Sequence, residues 1–123
     1  MPIKTYAKGA KAERELIKFL NNHGFSCVRS ASSGGYYYPV DVVAIRKDVT
    51  LSFEIKSWAK KPRLDKDQLA RFKEWSENAG AFAFLAWYNN NQWRFLPLKQ
   101  AEEKQYEDEN WIEFNNFINV FKV

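Results

Sequence analysis

The segment Leu51-Ser52-Phe53-Glu54-Ile55-Lys56-Ser57 constrains this chain more than any other. Apolar and polar residues alternate along it, and successive side chains of a strand point to opposite faces, so it reads as a half-buried strand. Leu51, Phe53 and Ile55 then face a core, while Ser52, Glu54 and Lys56 share the other face. Upstream, Pro39-Val40-Asp41-Val42-Val43-Ala44-Ile45 reads as a second strand, with Lys47-Asp48 as the turn between the two. A hairpin brings the start of its first strand beside the end of its second. Asp41 and Glu54 are therefore expected to meet at one sheet edge, with Lys56 beside them. Two carboxylates and an ammonium make a site for a hard cation and a polarised water, the outline of metal-assisted phosphodiester hydrolysis.

The distribution of charge supports a polyanionic partner. From Met1 to Lys73 there are 15 Lys/Arg against 7 Asp/Glu, and from Glu74 to Val123 there are 4 against 8. The acidic pair thus lies in the basic part of the chain, as a site for nucleic acid requires. A solvated surface with ordinary charge scatter is the plainer reading of the same numbers. With 123 residues and 46% hydrophobic content, the chain is expected to form one domain over residues 1–123. No apolar run is long enough to span a membrane, and the lone Cys27 leaves no internal disulfide framework. A soluble, intracellular (cytoplasmic) protein is expected, with no membrane partner and no small-molecule cofactor.

Met1 to Ala7 has no period and reads as a mobile N-terminal arm in which Lys4, with Lys8 just beyond, is placed to touch phosphate. Lys8 to His23 has helical spacing, with Ala12, Leu16, Phe19 and Leu20 on one stripe and Gly24 as the stop. Glu13 and Arg14 fall in its first turns, where the helix dipole favours a carboxylate. His23 reads as a capping or surface residue. Phe25 to Ser30 is a short strand with Phe25, Cys27 and Arg29 on one face; Arg29 closes it near the start of the Asp41 strand, where its guanidinium can hold a phosphate.

Ala31 to Tyr38 is small and glycine-rich, then aromatic. Ser30, Ser32 and Ser33 offer hydroxyls, and Tyr36, Tyr37 and Tyr38 offer faces for stacking on unpaired bases, or else form a surface loop. After the Glu54 strand, Trp58, Lys60, Lys61 and Arg63 lie on a basic loop that Pro62 keeps from being helical. Asp65 caps a second helix running to about Ala79 and ended by Gly80, with Leu69, Phe72, Trp75 and Ser76 on one face and Gln68 near its start. Ala81 to Tyr88 reads as a central strand covered on both sides, Asn89-Asn90-Asn91 as a turn, and Gln92 to Pro97 as the returning strand. Leu98 to Lys104 reads as a short helix and Gln105 to Asn110 as a polar linker. Trp111, Phe114, Phe117, Ile118 and Phe121 recur at helical spacing. That aromatic face, with Phe72 and Trp75 as a second surface, marks either an interface or a helix closing its own core.

Lys8-Gly9 with Glu13-Arg14, Arg29 with its serine loop, Asp41, and Glu54-Ile55-Lys56 together resemble the archaeal-type Holliday junction resolvases, a group found in archaea, archaeal viruses and related phages. The resemblance runs from Lys8 to Pro97. The E-x-K strand alone is shared by many restriction-like nucleases; its combination with the K-G-x-x-x-E-R helix is far more specific. The resemblance implies a restriction-endonuclease-like α/β fold, a central mixed sheet flanked by helices, acting as a homodimer on four-way junction DNA. It implies Asp41, Glu54 and Glu13 as ligands of Mg²⁺, with Mn²⁺ as a substitute, Lys56 as the residue orienting the water, and Arg14 and Arg29 as the site's arginines. It also implies that the Ser30–Ser33 loop and Gln68 approach the DNA. Where members of the group often carry lysines before the aspartate, this chain has Gly34-Gly35-Tyr36-Tyr37-Tyr38, which shifts the loop's grip from charge to stacking. Two other readings remain at this stage: a related nuclease cutting other branched or duplex DNA, and a non-catalytic branched-DNA-binding protein.

Overall fold

The computed structural model describes residues 3–30 and 39–121, with side chains of the first helix from Gly9 onward. In chain order the elements are α1 (Ile3–Asn21), β1 (Ser26–Arg29), β2 (Val42–Arg46), β3 (Val49–Lys56), α2 (Lys66–Ala79), β4 (Phe82–Asn89), β5 (Gln92–Pro97), α3 (Leu98–Glu102), a 3₁₀ turn (Asp108–Asn110), β6 (Ile112–Glu113) and α4 (Phe114–Val120). The six strands form one sheet in the order β1-β2-β3-β4-β5-β6. β3 and β4 are parallel, and every other neighbouring pair is antiparallel. A parallel pair needs a crossover, which α2 supplies. This is the mixed sheet flanked by helices that the sequence led us to expect.

Local chemistry accounts for most boundaries. Asp65 accepts from the Gln68 N–H at 2.8 Å, and the Gln68 side chain reaches back to the Asp65 N–H at 3.5 Å, a reciprocal cap that starts α2. Gly80, at φ 67°, ends it. Asn90 and Asn91 take φ 52° and 58°, the left-handed pair that a two-residue hairpin between β4 and β5 demands.

Each face of the sheet carries its own core. Ala12, Leu16 and Leu20 of α1, with Phe117 and Ile118 of α4, cover Val42, Ala44, Leu51, Phe53, Phe84 and Phe95. On the opposite face Phe72 of α2 and Ala101 of α3, with Leu64, Tyr106 and Trp111, cover Leu85, Trp87 and Leu96. β3 is consequently buried on both faces. Ser52 is fully buried beside α2, its hydroxyl 2.8 Å from that of Ser76, so the expected open face does not exist there.

Five other expectations are corrected. α1 begins at Ile3, taking in most of the stretch read as an arm, because an apolar stripe marks where a helix packs and not where it starts. Glu13 therefore lies mid-helix, beyond the dipole's reach. The C-terminal aromatics do not form one surface stripe. Trp111 precedes the helix and packs edge-on against Trp87, whereas Phe117 on α4 stacks on Phe95 at 4.1 Å in the opposite core. Phe72 and Trp75 likewise pack inward, and the linker read as polar buries Tyr106, whose hydroxyl accepts the Leu64 N–H.

Candidate active site

Antiparallel register places Val42 opposite Phe53, so the next residues outward, Asp41 and Glu54, face one another where β2 begins. Asp41 donates its N–H to the Phe53 carbonyl at 2.9 Å, and its Oδ2 accepts the Ile55 N–H at 2.7 Å. One oxygen of Asp41 is thus fixed by the backbone of β3, and the Asp41 and Glu54 side chains are hydrogen-bonded to each other. Asp41 is 6% exposed and Glu54 8%. Lys56, two residues along the same face of β3, brings Nζ within 3.5 Å of Glu54 Oε1. The trio expected from the hairpin is assembled.

Its electrostatics follow from crowding. Burial, and then the Asp41 carboxylate, push Glu54 up to about 8, with Lys56 pulling in the opposite direction. The crowding of this buried carboxyl pair favours added positive charge beside it. Oxygen donors so arranged fit a hard divalent cation that keeps several of its own waters.

Glu13 approaches from α1. Its carboxyl is raised, by burial first and by Asp41 second, against the pull of Arg29 and Arg14. Arg29 Nε lies 3.5 Å from Glu13 Oε1, and the Ser30 N–H donates to the Asp41 carbonyl at 2.9 Å, which ties β1 to the site. Arg14 is exposed and acts on Glu13 through its field. Among the described residues no three acidic, histidine or cysteine side chains stand close enough to hold an ion. Asp41 and Glu54 face one another from β2 and β3, and Glu13, paired with Arg29, comes to them from α1.

The basic loop leaves the sheet directly after Lys56. Trp87 Nε1–H donates to the Trp58 carbonyl at 2.8 Å, and Asn89 Nδ2 to the Ala59 carbonyl at 3.4 Å, so β4 pins the loop. Lys61 forms an ion pair with Asp108, Arg63 stacks over Tyr106 at 4.9 Å, and Lys60 is exposed. Gln68 is engaged in its own helix cap. Ser32, Ser33, Tyr36, Tyr37 and Tyr38 lie outside the described residues, as do the side chains of Lys4 and Lys8. Sequence reasoning missed Trp87, Asn89 and Asp108. The signal for the first two is the parallel register of β3 and β4, which pairs Lys56 with Trp87.

The sequence profile of the archaeal Holliday junction resolvase (Hjc) family matches residues 4–122. This chain belongs to that family. The crossover junction endodeoxyribonuclease Hjc of Methanocaldococcus jannaschii is 37% identical over 92 residues, covering 74% of this chain and 66%, just under two thirds, of that relative. Hje of Saccharolobus islandicus, also a crossover junction endodeoxyribonuclease, is 27% identical over 120 residues, 93% of this chain and 89% of its own length. The structure of Archaeoglobus fulgidus Hjc, a Holliday junction resolvase, superposes with a TM-score of 0.75 at 26% identity, covering 94% of this chain and 98% of that one. The Hjc match gives the sheet and helices a restriction-endonuclease-like fold. No helix among the described residues is long and apolar enough to cross a membrane.

Proposed function

We propose that this chain is a metal-dependent endodeoxyribonuclease that resolves four-way DNA junctions by paired phosphodiester hydrolysis, acting in recombination and repair. The observation that carries the reading is the buried Asp41–Glu54 pair with Lys56 3.5 Å from Glu54, held where β2 begins beside β3, inside the sheet of an Hjc-family fold. Asp41 and Glu54 would hold Mg²⁺ directly, Mn²⁺ substituting, with Glu13 as an outer carboxylate. When bound, the ion makes phosphorus more electrophilic and a coordinated water more acidic. Lys56 orients the attacking water and offsets negative charge as it develops, and Arg29 and Arg14 keep the flank of the site positive.

Contact with DNA is assigned to Lys4, Lys8, Ser30, Ser32, Ser33, Trp58, Lys60, Lys61, Arg63 and Gln68, with Tyr36, Tyr37 and Tyr38 stacking on bases that an opened junction exposes. Recognition is then of shape and phosphate spacing, and it weakens steeply with salt. A homodimer matches two identical sites to the two symmetry-related strands of a junction. The test compares a four-way junction with a duplex of the same sequence, first in Mg²⁺ and then in EDTA. Metal-dependent paired cuts in the junction alone are expected. Equal cutting of the duplex would reassign the chain to the related nucleases, and tight binding without cutting would make it a branched-DNA-binding protein.

A further inference from the structure

Lys56 is a flexible side chain asked to occupy one place. An ammonium on a four-carbon stem is not oriented by a single carboxylate contact at 3.5 Å, so something else has to hold it. The ring of Trp58 supplies that hold: its centroid is 5.1 Å from Lys56 Nζ. A cation over an indole face is attracted by the ring quadrupole, and indole is the strongest of the aromatic partners. The backbone that carries the ring is itself anchored. Trp58 has left the sheet, but its carbonyl receives the Trp87 Nε1–H at 2.8 Å, and Trp87 is 7% exposed and wedged against Trp111. Rigidity therefore passes from the buried Trp87–Trp111 pair to the Trp58 backbone, from its ring to the Lys56 ammonium, and from there to Glu54.

We infer that Trp58 is a positioning residue for the cleavage step: its indole, carried on a backbone that Trp87 fixes, holds the Lys56 ammonium against Glu54. The assignment rests on the nuclease reading above and goes beyond a place on a DNA-facing loop. It predicts that Trp58 acts on the rate of cutting more than on the grip on DNA.

The test uses the full chain with Trp58→Phe, Trp58→Leu and Trp58→Ala, measuring junction affinity in Ca²⁺ and the single-turnover cleavage rate in Mg²⁺ at saturating protein. Alanine and leucine should each slow cleavage roughly ten-fold while junction affinity, to which Trp58 contributes as one loop contact among several, falls by no more than about three-fold; phenylalanine, which keeps an aromatic face, should cleave within about three-fold of wild type. Lost affinity with an intact rate would make Trp58 a base-stacking contact and overturn the assignment. Leucine as active as phenylalanine would overturn it too, since bulk alone would then suffice. A second readout is independent of activity. In the wild-type protein the Lys56 ε-methylene protons should resonate upfield, shifted by the indole ring current, and should return to ordinary values in Trp58→Leu. An absent upfield shift overturns the assignment whether or not the protein cuts junctions. A shifted Lys56 in a protein that leaves junctions intact overturns the nuclease reading alone.

Discussion

Glu54 holds a proton in the metal-free protein up to about pH 8, because burial and Asp41 outweigh the pull of Lys56. On unfolding it returns to its ordinary value of 4.5, so between the two values the folded state binds the extra proton. The linkage sign follows: this contribution to stability is complete below 4.5 and is lost as pH rises through 8, by on the order of a few kcal/mol. Thermal unfolding without metal should show Tm falling across that window, and Glu54→Gln, neutral throughout, should flatten the fall. An unflattened slope would locate the titration at another group. Because ligating carboxylates must be deprotonated, added Mg²⁺ should raise Tm more at high pH than at low. The same pair governs chemistry. Asp41→Asn and Glu54→Gln should each lower cleavage by about 100-fold or more, and Lys56→Ala should do likewise. The two carboxylate changes should leave junction binding equal or tighter: Asp41→Asn removes a negative charge near phosphate, and Glu54→Gln replaces a group that without metal is already neutral below about pH 8. Gel shifts in Ca²⁺ and cleavage in Mg²⁺ separate the two effects, and full activity in any one variant would remove that residue from the mechanism.

At the scale of elements, α2 is fastened to β3 by the Ser52–Ser76 hydroxyl pair, both members of which are buried. Ser76→Ala leaves the Ser52 hydroxyl buried without its partner and should cost about 1–3 kcal/mol in urea unfolding, while Ser52→Ala combined with Ser76→Ala should recover part of that loss. A double variant as unstable as the sum of the singles would mean that the hydroxyls do not couple. This contact also shows where the sequence was legible. The β2–β3 hairpin, the caps of α2 and the Asn90-Asn91 turn are set by residues a few positions apart, so spacing and turn chemistry revealed them, along with the meeting of Asp41 and Glu54. Ser52 looked solvent-facing because it alternates with Leu51 and Phe53, and only the crossover helix decides that the second face is covered as well. Glu13 looked terminal because the apolar stripe of α1 begins late. Trp111 kept helical spacing with Phe114 yet belongs to the opposite core, because β6 intervenes and turns the chain across the sheet edge. Trp87 and Asn89 escaped notice because parallel register between strands separated by a helix leaves no local mark.

At the scale of the whole molecule, Phe117, Phe72 and Trp111 lie in the cores, so the C-terminal helix closes its own core as the second reading of its spacing had it, and the case for two copies stands apart from these residues. Phe117 is 1% exposed and touches the rings of Phe53, Phe84, Phe95 and Phe121. Phe117→Asp should therefore abolish cooperative unfolding instead of releasing a folded monomer, since a carboxylate there would be buried without a partner. The case for a dimer comes from the substrate. A four-way junction presents two equivalent strands, and a chain with one Asp41–Glu54 pair cuts both in a single encounter only if a second copy brings a second pair. Sedimentation at micromolar concentration should show about twice the 14.5 kDa chain mass. Mixing gives the sharper test, because an equimolar blend of wild type and Glu54→Gln that exchanges subunits yields dimers with one live site. On a plasmid carrying an extruded cruciform, those dimers nick one strand and leave the other, so open circles should accumulate at the expense of linear product. A chain that works as independent monomers would give the same ratio of circle to line as wild type at equal active concentration, with the inert protein acting only as a competitor for junctions. That unchanged ratio would end the argument from symmetry, even if both strands were still cut.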